Sequence, residues 1–304
     1  MDNSVQLSEP VRAALEGGRP VVALESTVIA HGLPWPQNLE AALDMEATVE
    51  AGGATPATVA VVDGRLRAGL ERPTLERLAR KDERVPKLTR RDLGLALADG
   101  GLGATTVAAT MLIARWAGIR VFATGGIGGV HRGDSGDVSA DLPELARTPV
   151  AVVCAGAKAI LDLPRTLEWL ETFGVPVFGY QTDELPAFFV RSSGLPVQRR
   201  VDSAAEAARL IRAHWGVGLT SGVLIAVSAP EDQAADPAQV EEAIAQALSE
   251  AAEAGVRGKE VTPFLLSRVA QLTGGKSVNA NLALLRQNAA VAAQIAVALA
   301  GPEG

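Results

Sequence analysis

The stretch Pro149-Val-Ala-Val-Val-Cys-Ala-Gly-Ala-Lys-Ala-Ile-Leu161 opens as an unbroken apolar run and carries one charge, Lys158, just past its glycine. A short continuous apolar run bounded by Pro and Gly reads as a strand buried on both faces, the kind found in parallel sheets covered by helices. Its sequel, Ala157 to Thr172, reads as the following helix, which puts Lys158 where strand turns into helix. Lys158 is one of 5 lysines in a chain with 23 arginines, so an ammonium here is a marked choice. Burial disfavours the charged form of lysine, and a neutral amine is a carbonyl nucleophile able to form a Schiff base. The competing reading is a snorkelling lysine whose stem packs on the sheet and whose head reaches water.

Outward from this run the same alternation recurs. Val21 to Leu24, Val59 to Val62, Val121 to Thr124, Val175 to Phe178 and Val223 to Val227 read as strands. Asn38 to Glu50, Thr106 to Trp116, Ser203 to His214, Pro237 to Ala254 and Asn281 to Ala300 read as helices. The alternation predicts an α/β fold, a three-layer α/β/α arrangement around a mixed, mainly parallel central sheet. The one antiparallel element expected is a hairpin at Asp63-Gly64, between Val59 to Val62 and Arg65 to Leu70. No repeat, linker or composition shift marks a boundary, so residues 1–304 are expected to form a single domain.

Composition narrows the function classes. A formal net charge of -7 and 4% aromatic residues argue against a polynucleotide partner. Cys154 is the single cysteine and lies in a predicted buried strand, which fits a reducing cytoplasmic setting. The amino terminus lacks a basic segment followed by an apolar one, so no signal peptide is expected. Asn288 to Ala300 is too short for a bilayer, which takes about 20 apolar residues, and reads as a buried helix.

Ligands of open α/β sheets collect beyond the carboxyl ends of the strands, so the loops there carry the candidate chemistry. Glu25 ends the first apolar run, where a carboxyl in a partly dry cleft can donate a proton or simply cap an amide, and His31 follows. Lys87 precedes a helix start capped by Thr89, a place for a phosphate or for a solvated lysine. Gly101-Leu-Gly-Ala-Thr-Thr106 reads as a glycine-rich, hydroxyl-bearing turn, an anion cradle or an ordinary capped start. The densest loop is Gly125-Gly-Ile-Gly-Gly-Val-His-Arg-Gly-Asp-Ser-Gly-Asp-Val-Ser-Ala-Asp141. Its glycines admit close approach of a ligand but lack the spacing of a dinucleotide fingerprint. Asp134, Asp137 and Asp141, with His131, offer donors suited to magnesium or manganese. Asp141 also fits as the cap of a helix continuing Leu-Pro-Glu144. Asn281 reads as the start of the last helix, a cap or a ligand contact.

Taken together, Ala23-Leu-Glu-Ser-Thr-Val-Ile-Ala-His-Gly, Gly125-Gly-Ile-Gly-Gly-Val-His-Arg-Gly, Ser139-Ala-Asp141, Val153-Cys-Ala-Gly-Ala-Lys158 and Gln181-Thr-Asp-Glu-Leu-Pro-Ala-Phe188 resemble the pseudouridine-5'-phosphate glycosidase family, which includes indigoidine synthase A-like proteins. The resemblance spans nearly the whole chain. It implies an α/β/α single domain, usually a homotrimer, that uses Mn2+ to interconvert pseudouridine 5'-phosphate plus water with uracil plus ribose 5-phosphate, a lyase-class reaction. It implies Lys158 as covalent nucleophile, Glu25 as proton donor and Asp137 as the metal-binding aspartate. Lys87, Val107, Ser139, Ala140 and Asp141 match its substrate contacts, and His131 and Asn281 match further site positions. The loop from His131 to Asp141 is shorter than the family's usual version, with Gly136 where a bulkier apolar residue is expected. Two other readings use the same pocket: a Schiff-base aldolase on another sugar phosphate, and a noncatalytic sugar-phosphate or nucleotide sensor.

Overall fold

The computed structural model describes residues 5–133 and 136–301, so Asp134 lies outside the described residues. Its strands are β1 (Gln6–Leu7), β2 (Val21–Leu24), β3 (Thr55–Val62), β4 (Arg65–Ala68), β5 (Lys87–Leu88), β6 (Gly103–Thr105), β7 (Val121–Ala123), β8 (Val130–His131), β9 (Ala151–Cys154), β10 (Leu161–Asp162), β11 (Val177–Tyr180), β12 (Arg199–Val201) and β13 (Val223–Val227). Its α-helices are α1 (Glu9–Glu16), α2 (Gln37–Ala51), α3 (Arg72–Arg80), α4 (Leu93–Asp99), α5 (Val107–Ala117), α6 (Asp141–Leu145), α7 (Leu163–Thr172), α8 (Ala204–Gly216), α9 (Pro237–Glu253), α10 (Val261–Leu272) and α11 (Lys276–Ala300).

The main sheet runs β1-β4-β3-β2-β7-β9-β13-β11-β12, with β6 paired to β3 and β5. Among the described residues, only the β3–β4 and β3–β6 pairs in it are antiparallel. Every residue of β2, β7 and β9 is buried, as continuous apolar runs require when helices cover both faces. α11 packs on β2, β7 and β9, flanked by α2 over β3 and α8 over β12, and α5 packs on β2, β3 and β4 with α6 against it. The fold is thus the mixed, mainly parallel three-layer α/β/α arrangement expected. Asp63 (φ 50°) and Gly64 (φ 70°) make the β3–β4 hairpin turn, where two positive φ values match the twist of the strands.

Several local expectations need correction. The helix expected over Ala157 to Thr172 begins only at Leu163, because Asp162 caps it and Pro164 sits in its first turn. Lys158 therefore lies in an irregular turn between β9 and β10, clear of any helix. The Gly101 to Thr106 segment is not a turn throughout: Gly103–Thr105 is strand β6. Helix α11 starts at Lys276, so Asn281 stands inside the helix and not at its cap. That start also makes α11 25 residues, long and apolar enough by length and composition to cross a bilayer. Its buried face includes Ser277 and Asn288, and Asn288 donates to the Thr124 carbonyl at 2.8 Å, so it packs as a core helix.

Candidate active site

Strand β2 has β3 on one side and β7 on the other, with β9 next to β7. Chain order reverses at β2, and the carboxyl ends of β2, β7 and β9 open side by side into one cavity, as open α/β sheets dictate. The cavity measures about 1080 Å³. Each of the sequence-derived candidates Glu25, Lys87, Val107, His131, Asp137, Ser139, Ala140, Asp141, Lys158 and Asn281 lines it.

Glu25 follows β2 directly and is buried. Both of its oxygens are engaged by hydroxyls, one by Thr27 and one by Thr124 at the end of β7. A threonine hydroxyl can donate or accept, so this pair holds the carboxyl in one orientation whether or not it carries a proton. Asn288 from α11 in turn holds the Thr124 carbonyl. Neither cap of a backbone amide nor an arginine pair appears among the bonds of Glu25, so the alternative reading of its position does not apply among the described residues.

Lys158 is half-buried, and its Nζ donates to the Gly126 carbonyl at 2.6 Å. Its backbone N–H donates to Ile127 at 3.0 Å, which ties the β9 turn to the glycine loop after β7. Gly156 makes that turn possible: its φ is +79°, and a Cβ there would lie 2.3 Å from the Pro186 carbonyl oxygen. Below it the Cys154 thiol is fully buried, and burial pushes its pKa up to about 12, which leaves it an inert core residue.

Asp141 does not cap its own helix. Ala140 is the residue before α6, and the Asp141 carboxylate instead accepts from Gly128 N–H at 2.8 Å and Ala108 N–H at 2.9 Å. It therefore caps the first turn of α5 and fixes the glycine loop at once. Gly128 is required there, since a Cβ would meet Ser139 Oγ at 2.1 Å. The remaining loop folds back on itself, with His131 N–H donating to Asp137 O and Ser139 N–H to Gly129 O, each at 3.0 Å. Gly136 has φ +65°, a conformation that a bulkier residue would resist, which accounts for glycine at that position. Asp137 is half-exposed with an oxygen 3.9 Å from His131 Nε2. Among the described residues no group of three His, Cys, Asp or Glu side chains gathers as a metal cluster.

Lys87 on β5 enters the cavity beside Lys81, Arg90, Arg91 and Arg147, an excess of cations suited to a phosphate. The expected cap at Thr89 is present: Thr89 N–H and Oγ1 reach Asp92 Oδ2 at 2.8 and 2.7 Å, opening a 3-10 turn, Arg90–Asp92, that leads into α4. His31 lies in a π-helical turn, Val28–Gly32, and its Nε2 meets the Val85 carbonyl at 3.0 Å. Burial, with Lys81 and Lys87 nearby, pulls its pKa below the ordinary histidine value, so the ring is neutral near pH 7.

Several lining residues were not singled out from the sequence. Thr27 sits in a quoted motif and Thr124 ends a predicted strand, but neither signals anything until Glu25 is placed against them. Phe188 and Phe189 form an aromatic wall, their rings 4.5 Å apart, and Phe188 holds φ +62° while its N–H donates to Ala155 O at 3.1 Å. The paired phenylalanines in an otherwise polar turn were the available signal. Helix α10 brings Thr262, Pro263, Leu266, Ser267, Ala270 and Gln271 to the cavity.

A family model described as indigoidine synthase A like protein matches residues 10–298. The chain belongs to this family. Curated members similar to it include a pseudouridine-5'-phosphate glycosidase of Caldanaerobacter subterraneus subsp. tengcongensis, 55% identical over 301 residues that cover 98% of each chain. The pseudouridine-5'-phosphate glycosidase of Escherichia coli K12 is 53% identical, over 96% of this chain and 94% of its own. Among solved structures, the prealnumycin C-glycosynthase AlnA in complex with ribulose 5-phosphate superposes with a TM-score of 0.91 at 44% identity, covering 99% of this chain and 98% of that one. An indigoidine synthase A-like protein from Thermotoga maritima MSB8 gives 0.90 at 33% identity, over 99% and 98%.

Proposed function

We propose that this family member cleaves and forms the C-glycosidic bond of pseudouridine 5'-phosphate, interconverting it and water with uracil and ribose 5-phosphate. The observation that carries the reading is the meeting of Lys158 and Glu25 in one cavity that also holds an excess of cations. The names of the curated relatives and the pentose phosphate bound by AlnA supply the substrate class.

A bond from ribose to a carbon of uracil offers no leaving-group lone pair, so the paired-carboxylate chemistry of ordinary glycosidases does not suffice. The ring C1'–O4' bond opens as Lys158 Nζ adds to C1', and O4' takes the proton that the amine gives up. The Glu25 carboxyl protonates uracil C5, the C1'–C5 bond breaks, and the amine lone pair forms the C1'=N iminium. Water then adds to C1' and releases ribose 5-phosphate and the free amine. Lys87, with Ser139, holds the phosphate end; His131, Asn281, Val107 and Ala140 shape the sugar and base end.

Asp137 is the residue that would hold manganese. A divalent ion that keeps most of its waters needs only one or two carboxylates, and a half-exposed Asp137 beside His131 fits that description better than a full protein cage. When bound, the ion supplies orientation and polarisation of substrate oxygens. The unbroken family match over residues 10–298 supports one domain acting as the catalytic unit. A cytoplasmic homotrimer of the lyase class remains part of the proposal.

The test is uracil-dependent consumption of ribose 5-phosphate by the purified protein. Consumption that needs uracil and yields pseudouridine 5'-phosphate supports the reading; consumption without uracil points to an aldolase, and binding without turnover to a sensor.

A further inference from the structure

Arg132 sits immediately after His131, outside the cavity, with its guanidinium turned behind the Lys158 turn. Its Nη2 donates to the Ala159 carbonyl at 3.1 Å and its Nε to the Leu161 carbonyl at 3.3 Å. Its Nη1 and Nη2 also reach the two oxygens of Glu241 on α9, at 2.5 and 3.1 Å. One planar fork thus joins the hairpin that carries Asp137, the turn that carries Lys158 and a helix of the outer layer. The turn needs such a tie, because residues 158–160 belong to no helix or strand and Ala157 makes only an isolated parallel bridge to Ile127. From the front, the turn is held by Lys158 N–H to Ile127 and by Lys158 Nζ to Gly126.

We propose that Arg132 is a positioning residue for Lys158, fixing from behind the turn that aims the nucleophilic amine; the inference rests on the proposed role of Lys158. The bridge to Glu241 is largely exposed, with Glu241 62% accessible, so it adds little stability. Its contribution is geometric: the carboxylate fixes the position of the intrinsically planar fork so that two donors meet two carbonyls of the turn. Lysine cannot replace it, since a single ammonium has no fixed fork to span the three groups.

The experiment compares wild type with Arg132→Ala, Arg132→Lys and Glu241→Gln, reading the rapid-quench rate of borohydride-trapped ribose 5-phosphate adduct, kcat, KM and melting temperature. A displacement of the amine by about 1 Å costs on the order of 100-fold in rate. Arg132→Ala should slow trapping and kcat by that order, with KM for ribose 5-phosphate and melting temperature little changed. Arg132→Lys should recover only a small part, and Glu241→Gln, which keeps both carbonyl bonds, should lose a few-fold. Wild-type trapping in Arg132→Ala, or in Arg132→Lys should the alanine variant fail to fold, would overturn the proposal, as would a loss carried by KM alone. If wild type itself yields no adduct while turning over, the covalent role of Lys158 fails first and the positioning role falls with it.

Discussion

Arg90 and Glu144 meet as a two-point pair, Nε and Nη2 to the two carboxylate oxygens at 2.7 Å each. Glu144 is fully buried on α6 and also accepts from Thr148 and, at 3.1 Å, from Arg147. The pair clamps the segment after Lys87 to the helix that begins at Asp141, so it joins two walls of the cavity. Burial alone would raise the pKa of Glu144, but hydrogen bonds from Arg90 and Thr148 and the charges of Arg90 and Arg147 outweigh it and hold it below the ordinary value. A carboxyl so lowered stabilises the fold above its unfolded pKa, and that contribution is lost as pH falls through the folded pKa. Glu144→Gln should therefore destabilise the protein at neutral pH, by about 3 kcal/mol, and flatten the acid limb of stability below about pH 4.5. Thermal melts of both proteins across that range check it; parallel acid limbs would contradict it.

Asp141→Asn replaces an acceptor pair with one oxygen and one amide donor, which faces a backbone N–H at either Gly128 or Ala108. One donor then loses its partner, at a cost of about 2 kcal/mol, and the glycine loop loosens. Chemical denaturation should show the loss, and KM for ribose 5-phosphate should rise.

Thr124→Val keeps the shape and deletes the hydroxyl on Glu25. Losing a bond worth about 1.4 kcal/mol in orienting the acid should lower kcat about tenfold with KM nearly constant. An unchanged kcat would mean that Thr27 alone orients the carboxyl.

Asp137→Ala removes a half-exposed carboxylate, so the melting temperature should hold while activation by manganese disappears. Unchanged activation in a manganese titration would move the metal site away from this hairpin.

The fold was readable because its central strands are buried on both faces, which turns β2, β7, β9 and β13 into continuous apolar runs. The first turn of α5 was readable from Thr106, which caps it. What periodicity could not supply was the path between strand and helix at Lys158, because Ala157 to Leu161 is as helix-compatible as it is apolar, and the cap that decides the start, Asp162, lies beyond it. The candidate site was legible as residue types at strand ends. The long-range bonds of Asp141 and Arg132 were not: a capping sequence before Leu-Pro-Glu144 points to a local bond, yet the partners lie 13 and 33 residues away. The arginine of the Gly-Val-His-Arg-Gly motif likewise gives no sign that it reaches α9.

The central claim is that Lys158 forms a covalent imine with the pentose phosphate. Borohydride reduction of the protein with ribose 5-phosphate, followed by peptide mass mapping, tests it most directly, with Lys158→Ala as control. The account predicts a reduced pentose-phosphate adduct on Lys158 in the wild type, and in Lys158→Ala neither adduct nor turnover but a nearly unchanged melting temperature. An active preparation that yields no adduct, or a Lys158→Ala variant that still turns over, would contradict it.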